Sequence, residues 1–169
     1  MAFNDDLTVV ILAGGLGTRL SEETESRPKP MVNIDDKPII WHIMKIYAIQ
    51  GYRKFIIAGG YKWTVIKDWV DHFKFDWDIE VFDTGLESNT ATSVMRCIDK
   101  IKSDKFMMTY GDGLANVHLS KLLDTHNRNS GLATVTAVRP PARFGLLHID
   151  IESVDHFGEK EQVDAGWIN

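Results

Sequence analysis

The residues best suited to chemistry lie in a glycine-rich stretch near the start of the chain. Gly14, Gly15 and Gly17 fill three of four consecutive positions, and Thr18 and Arg19 follow them at once. Glycine has no Cβ, so backbone N–H groups in such a stretch can approach a phosphate chain closely. An arginine adds a fork of donors that matches phosphate oxygens. The stretch therefore predicts nucleotide or phosphate binding.

The spacing of this loop can be compared with other glycine loops. A dinucleotide-binding G-x-G-x-x-G pattern would need glycine where Leu20 stands, which disfavours an NAD-dependent oxidoreductase. The G-x-x-x-x-G-K-[ST] phosphate loop is not found in this stretch either. A plain turn without a ligand stays open as an alternative.

A stiffly held lysine follows ten residues after Arg19. Lys29 stands between Pro28 and Pro30, and each proline fixes its own φ and pushes the preceding residue towards an extended shape. A rigid cation near a phosphate-binding loop suits the charge that develops on a transferring phosphoryl group. The alternative is a solvated lysine in a surface loop.

The elements that must position these residues alternate along the chain. Apolar, β-branched runs predict strands, and apolar residues at helical spacing predict helices between them. This alternation predicts an α/β, doubly wound, mostly parallel sheet of Rossmann-like type, with short β segments at its end. The predicted strands are 7–12, 54–58, 78–82, 105–110 and 132–138, the helices 38–51, 63–73, 91–101 and 117–129, and the final β segments 145–151 and 153–157.

Three informative loops are expected at one edge of this sheet. Ligands of open α/β sheets bind beyond the carboxyl ends of the strands. The glycine loop follows the first strand, another loop follows the third, and Gly111, Asp112 and Gly113 follow the fourth. A hairpin turn could also use the Gly-Asp-Gly sequence, but a predicted helix rather than a pairing strand comes next.

Composition limits the classes of function. The 169 residues carry a formal net charge of −5, which disfavours a dedicated nucleic-acid binder. The single cysteine, Cys97, can form no internal disulfide and is expected to be a buried thiol, so a cytoplasmic location is expected. No apolar run approaches the length of about 20 residues that a membrane-spanning helix needs. We expect one domain over residues 1–169.

The loop and its continuation resemble a known family. Residues 12–31, LAGGLGTRLSEETESRPKPM, closely resemble the signature of the sugar-1-phosphate nucleotidyltransferases. Ser21, Glu22, Glu23 and Thr24 make the stretch most similar to the glucose-1-phosphate cytidylyltransferase branch. The similarity continues through TYGDGLANV and RPPARFGLLHI to GEK and touches nearly the whole chain. It implies Mg²⁺-dependent transfer of a cytidylyl group from CTP to glucose 1-phosphate, which gives CDP-glucose and pyrophosphate.

The resemblance also implies roles for individual residues. Arg19 and Lys29 would be catalytic and neutralise the triphosphate, and Asp112 would bind Mg²⁺, a hard cation that prefers oxygen ligands beside phosphates. The implied nucleotide-binding residues are Leu12, Ala13, Gly14, Gly15, Gly17, Thr18, Arg19, Lys29, Thr84, Gly85, Thr90, Gly111 and Asp112. The implied sugar-phosphate-binding residues are Arg143, Gly145, Glu159, Lys160 and Asn169.

The sequence departs from the family pattern in two respects. Ser93 stands where relatives in the branch carry an arginine, which leaves another nucleotide or sugar 1-phosphate open. Family members are longer and supply a second metal-binding aspartate further along, so we expect a C-terminally truncated chain with an incomplete β-rich sugar-binding portion. A nucleotide-binding fragment with impaired catalysis is the alternative. The resemblance also allows a homo-oligomer, with no nucleic acid or membrane partner.

Overall fold

The computed structural model describes residues 7–15, 27–86, 88–139, 146–150 and 153–158. The chain packs as two compact units, residues 1–119 and 120–169. That both belong to one domain stays a prediction, because compactness of the units does not decide the number of domains.

The first unit alternates strands and helices as expected. The pattern is set by short buried runs for the strands and by longer amphipathic stretches for the helices. Its elements are β1 (Thr8–Ala13), β2 (Asn33–Ile34), β3 (Lys37–Pro38), α1 (Ile39–Ala48), β4 (Lys54–Gly59), α2 (Trp63–His72), β5 (Asp78–Asp83), α3 (Thr90–Cys97) and β6 (Phe106–Tyr110), with 3₁₀ turns at Lys29–Met31 and Ile98–Lys100.

Four parallel strands form the central sheet, in the order β5-β4-β1-β6. Val9, Val10 and Ile11 of β1 are fully buried. The neighbouring residues 55–57 of β4 are at most 2% exposed. Burying each such side chain contributes about 1.5–3 kcal/mol, which explains why the continuous apolar runs occupy the centre. The predicted α/β fold with a mostly parallel sheet is confirmed.

Helices cover both faces of this sheet. On one face, Cys97 of α3 packs in a buried cluster with Val10, Ile56 and Ala58. Successive strand residues point to opposite faces, so Gly59 looks the other way. A Cβ built on Gly59 would lie 2.5 Å from the Cβ of Trp63, so α2 packs directly on that second face.

The second unit contains a helix and a hairpin. Helix α4 (Leu119–Arg128) begins at the boundary, and β7 (Leu146–Asp150) pairs antiparallel with β8 (Ser153–Gly158), close to the predicted bounds. The strand predicted at 132–138 is wrong: among the described residues of that stretch only Val138 has bridge geometry. β-propensity produces a strand only where a neighbour pairs with it and buries a face. Here Leu132, Val135 and Val138 are all exposed.

Candidate active site

The carboxyl ends of the four parallel strands bring the three predicted loops to one edge. Gly14 and Gly15 follow β1, Gly60 follows β4, Thr84 and Gly85 follow β5, and Gly111 and Asp112 follow β6. The parallel direction of the strands causes this convergence, because the backbone leaves all four strands at the same edge of the sheet.

Backbone packing between these loops is very close. The N–H of Gly111 donates to the carbonyl of Leu12 at 2.8 Å. A Cβ on Gly111 would lie 3.0 Å from that oxygen and 3.0 Å from Cγ of Pro30. A Cβ on Gly60 would lie 2.9 Å from Cα of Gly14. The loops can meet only because these positions lack side chains. Gly60 was missed at the sequence level, although the glycine pair that ends β4 was a readable signal.

A salt bridge joins the two charged residues that the sequence singled out at this edge. Lys29 Nζ lies 2.7 Å from Asp112 Oδ2, across 83 residues of sequence. Lys29 opens the 3₁₀ turn Lys29–Met31, in which Pro30 and Met31 are buried, as is Pro28 before it. The extended shape expected of a residue before proline is not adopted, because the N–H of Met31 donates to the carbonyl of Pro28 at 2.8 Å and closes the turn. The side chains remain 32% and 39% exposed, respectively, so both charges can still meet a ligand.

The described residues leave space beside Asp112. A Cβ built on Gly113 would meet no heavy atom of the described part of the chain within 4 Å, and the same holds for Gly15. Among the described residues no three His, Cys, Asp or Glu side chains cluster as a metal-binding group. Mg²⁺ usually takes only one or two protein carboxylates together with substrate phosphates and water. A lone, accessible carboxylate such as Asp112 fits that mode of binding.

The turn after β5 is organised mainly by buried hydrogen bonds. Thr84 is fully buried, and its Oγ1 donates to the carbonyl of Gly59 at 2.7 Å and lies 3.2 Å from Ser93 Oγ, from which it can accept. The hydroxyl of Thr84 is therefore engaged inside the protein. Ser93, at the position of the expected arginine, is buried beside it. Thr90 begins α3 at the surface, directly after Asn89, whose side chain caps the helix by accepting from the N–H of Thr92.

The remaining described positions of the implied nucleotide site lie on β1. Ala13 is buried, and Leu12 contributes its carbonyl to the contact with Gly111. The other implied residues lie outside the described residues: Gly17, Thr18 and Arg19 of the glycine loop, and Arg143, Gly145, Glu159, Lys160 and Asn169 of the sugar-phosphate set.

Two groups that are shielded from solvent, one partly and one fully, have a raised pKa. Burial raises the pKa of Tyr47, and a hydrogen bond with the Thr109 side chain partly opposes this rise. Burial also raises the pKa of the Cys97 thiol. Cys97 has no exposed surface, so the predicted buried thiol is confirmed.

No helix in the described part of the chain combines the length and apolar character that crossing a bilayer requires.

Comparison with known proteins matches this chain to a family. The profile of the family described as nucleotidyl transferase matches residues 8–166. Glucose-1-phosphate cytidylyltransferase of Salmonella typhi is 42% identical over 186 aligned positions, which cover 96% of this chain and 72% of that protein. D-glycero-alpha-D-manno-heptose 1-phosphate guanylyltransferase of Campylobacter jejuni is 31% identical over 168 positions, covering 96% and 73%.

A solved structure has the same fold. HddC from Yersinia pseudotuberculosis, in complex with GMP-PN, superposes with a TM-score of 0.66 at 28% identity. The match covers 91% of this chain and 69% of HddC. The chain therefore spans about seven tenths of the length of these proteins.

Proposed function

Because the chain belongs to the nucleotidyl transferase family, we propose that it transfers a cytidylyl group from CTP to glucose 1-phosphate, giving CDP-glucose and pyrophosphate. Similarity to the Salmonella typhi enzyme, 42% over almost the whole chain, supports this choice of substrates. The observation that carries the proposal is the Lys29–Asp112 pair, which places one cation and one carboxylate beside closely packed glycine backbone at the sheet edge.

The reaction is an in-line displacement at phosphorus. An oxygen of the sugar phosphate forms a bond to the α-phosphorus of CTP, and the bond from that phosphorus to the bridging oxygen breaks. Pyrophosphate leaves with the electron pair of the broken bond. The attacking phosphate is largely a dianion at neutral pH, so positioning and charge neutralisation matter more than a general base.

The residues of the chain divide this work. Lys29 stabilises the negative charge that grows on the leaving pyrophosphate, and its rigid backbone keeps the cation in place without reorganisation. Arg19 would share this neutralisation. Glycine backbone at Gly14 and Gly15 would approach the phosphates. Glu159 and Lys160 would hold a hydroxyl and the phosphate of the sugar.

Asp112 is the residue that would hold Mg²⁺. Its accessible carboxylate and the open space beside Gly113 fit a cation that shares its ligands with substrate phosphates. When bound, Mg²⁺ neutralises phosphate charge and orients the triphosphate.

A guanylyl transfer is the second candidate. It is favoured by the similarity to the Campylobacter jejuni guanylyltransferase and by the HddC structure with GMP-PN. The chemistry at phosphorus would be the same, and only the nucleotide and the sugar would differ.

Pyrophosphate release tests the proposed reaction and its choice of nucleotide. The protein is incubated with Mg²⁺, glucose 1-phosphate and, in turn, CTP, UTP, dTTP, GTP or ATP. A parallel set without sugar phosphate corrects for hydrolysis, and mass spectrometry identifies the nucleotide sugar. CTP-dependent release with CDP-glucose as product is expected. Release with another nucleotide would reassign the base, and no release with any of the five would contradict the proposed reaction.

A further inference from the structure

The guanidinium of Arg96 reaches from α3 to the turn that follows β5. Its Nη1 donates to the carbonyl oxygen of Thr84 and, at 3.0 Å, to Ser88 Oγ. Ser88 Oγ also donates to the Thr84 carbonyl. We call Thr84, Gly85 and Ser88 the β5–α3 turn. One cation therefore holds both ends of this turn.

Gly85 and Arg96 depend on each other. Gly85 has φ +83°, a backbone conformation that favours glycine. A Cβ at this position would lie 2.6 Å from Arg96 Nη1 and 3.3 Å from Ser88 Oγ. The guanidinium thus occupies the space into which a side chain at position 85 would point. The N–H of Gly85 is in turn fixed by Asp83 Oδ1 at 2.8 Å.

The β5–α3 turn is fastened to the same edge as the candidate active site. The N–H and Oγ1 of Thr84 both donate to the carbonyl of Gly59, at 2.8 and 2.7 Å. Gly60, the next residue, packs against Gly14. A continuous series of backbone contacts therefore runs from the turn that Arg96 holds to the glycine backbone after β1.

The strand order gives this turn a particular place. Asp112 follows β6, which neighbours β1 on one side. The β5–α3 turn follows β5, which lies two strands from β1 on the other side, a distance of roughly 10 Å at the usual strand spacing. With its phosphates beside Gly14 and Asp112, as proposed, a nucleotide would reach Thr84 and Gly85 if its nucleoside extended along the edge towards β4 and β5. Because the N–H groups of Thr84 and Gly85 and the carbonyl of Thr84 are hydrogen-bonded within the protein, the turn would meet the nucleoside end through its backbone shape rather than through these groups.

We propose that Arg96 is the positioning residue for the nucleoside end of the substrate. It does not touch the reacting phosphates; it fixes the backbone of the β5–α3 turn against which the base is read. The inference rests on the proposed nucleotidyl transfer. It separates two tasks that lie at the two sides of β1: charge neutralisation at Lys29 and Asp112, and base selection at the turn.

Kinetics of Arg96→Ala test this division. Loss of a charged donor to two acceptors is expected to raise the KM for the nucleotide about tenfold and to reduce discrimination among the five nucleotides. The kcat and the KM for glucose 1-phosphate should stay within about twofold, since neither depends on the turn. Arg96→Lys, which keeps a cationic donor, should recover most of the nucleotide KM.

Lys100→Ala is the matched control. Lys100 lies shortly after α3 and interacts with Glu80 and with the ring of Phe82, both on β5, but with no residue of the turn in the described contacts. Its removal should leave the nucleotide KM unchanged. Gly85→Ala adds a double-mutant cycle: it should raise the nucleotide KM strongly in the wild type and less in Arg96→Ala, where the contact with Nη1 is gone.

Nucleotide binding measured by calorimetry without sugar phosphate keeps this inference distinct from the proposed function. A wild type that binds a nucleotide but releases no pyrophosphate contradicts the proposed function, while weaker binding in Arg96→Ala still supports the inference. An unchanged nucleotide affinity and base preference in Arg96→Ala overturns the inference alone. Equal losses for both substrates together with a lowered melting temperature also overturn it, since that pattern marks a merely structural arginine.

Discussion

Lys29 Nζ and Asp112 Oδ2 lie 2.7 Å apart at the carboxyl edge of a parallel sheet, although 83 residues separate them in sequence. Both side chains are about one third exposed. An ion pair with this exposure contributes only about 0–1 kcal/mol to stability. The pairing therefore stabilises the fold only weakly, which agrees with the role in chemistry that we propose for both charges.

Lys29→Gln should separate these two effects. We expect kcat to fall by about a hundredfold, because the preorganised positive charge that stabilises the leaving pyrophosphate is lost. The melting temperature should change by less than about 3 °C, since the pair stabilises the fold weakly. Steady-state kinetics and thermal unfolding measure the two. Lys67→Gln, which removes an exposed i,i+4 pair with Asp71, is the matched control and should alter neither.

Gly111→Ala should destabilise the fold through a close contact. The new Cβ would lie 3.0 Å from the Leu12 carbonyl and from Cγ of Pro30, so neighbouring backbone must shift. Overpacking of this kind costs about 1–3 kcal/mol, measurable by urea unfolding. Gly113→Ala, with no atom within 4 Å of the new Cβ, should leave the free energy of unfolding nearly unchanged. Equal effects of the two substitutions would show that the Gly111 contact is unimportant.

Gln50→Ala should destabilise the segment that leads from the site into α4. Gln50 Nε2 donates to the carbonyls of Ile46 and Val117, both at 3.1 Å, and its Oε1 accepts from the N–H of Leu119 at 2.9 Å. Removing the amide leaves partly buried backbone groups unpaired, at a cost of about 1–3 kcal/mol in the free energy of unfolding. Ile49→Ala, at the exposed neighbouring position, is the control. A wild-type unfolding midpoint for Gln50→Ala would refute this role.

Cys97 should react slowly with thiol reagents while the protein is folded. The side chain is fully buried, and burial raises its pKa, so the reactive thiolate is scarcer at any given pH than in an unfolded chain. Because the folded pKa is raised, the linked stability is present below the pKa of the unfolded thiol and is lost as the pH rises through the folded value. The rate of labelling at pH 8, with and without denaturant, measures the difference in thiol reactivity between the folded and the unfolded chain. Equally fast labelling in both conditions would contradict it.

Much of the fold could be predicted from local patterns, whereas contacts between distant segments could not. The runs that became β1 and β4 are apolar on both faces, which marks central strands wherever they lie in the chain. The run that became β5, at the edge of the sheet, carries Asp78, Glu80 and Asp83 among its apolar residues. The run at 132–138 has similar composition but no partner strand among the described residues, and local sequence carries no information about that partner.

The candidate site shows the same division. Parallel topology was enough to place Gly14, Thr84 and Asp112 at one edge. The pairing of Lys29 with Asp112, and the reach of Arg96 to the turn after β5, depend on where side chains of separate elements meet in space. No rule based on sequence spacing predicts such contacts. In the sequence, Arg96 is a basic residue of a predicted helix with no feature that indicates its contact with the turn.

Formation of a nucleotide sugar by Asp112→Asn tests the central proposal most directly. Wild type, Asp112→Asn and the exposed-carboxylate control Asp124→Asn are compared with CTP, glucose 1-phosphate and Mg²⁺, with pyrophosphate and CDP-glucose measured together. We expect the control to match the wild type and Asp112→Asn to lose at least about a hundredfold in turnover, with unchanged melting temperature. Turnover of Asp112→Asn within threefold of wild type would contradict the assignment of this edge as the active site.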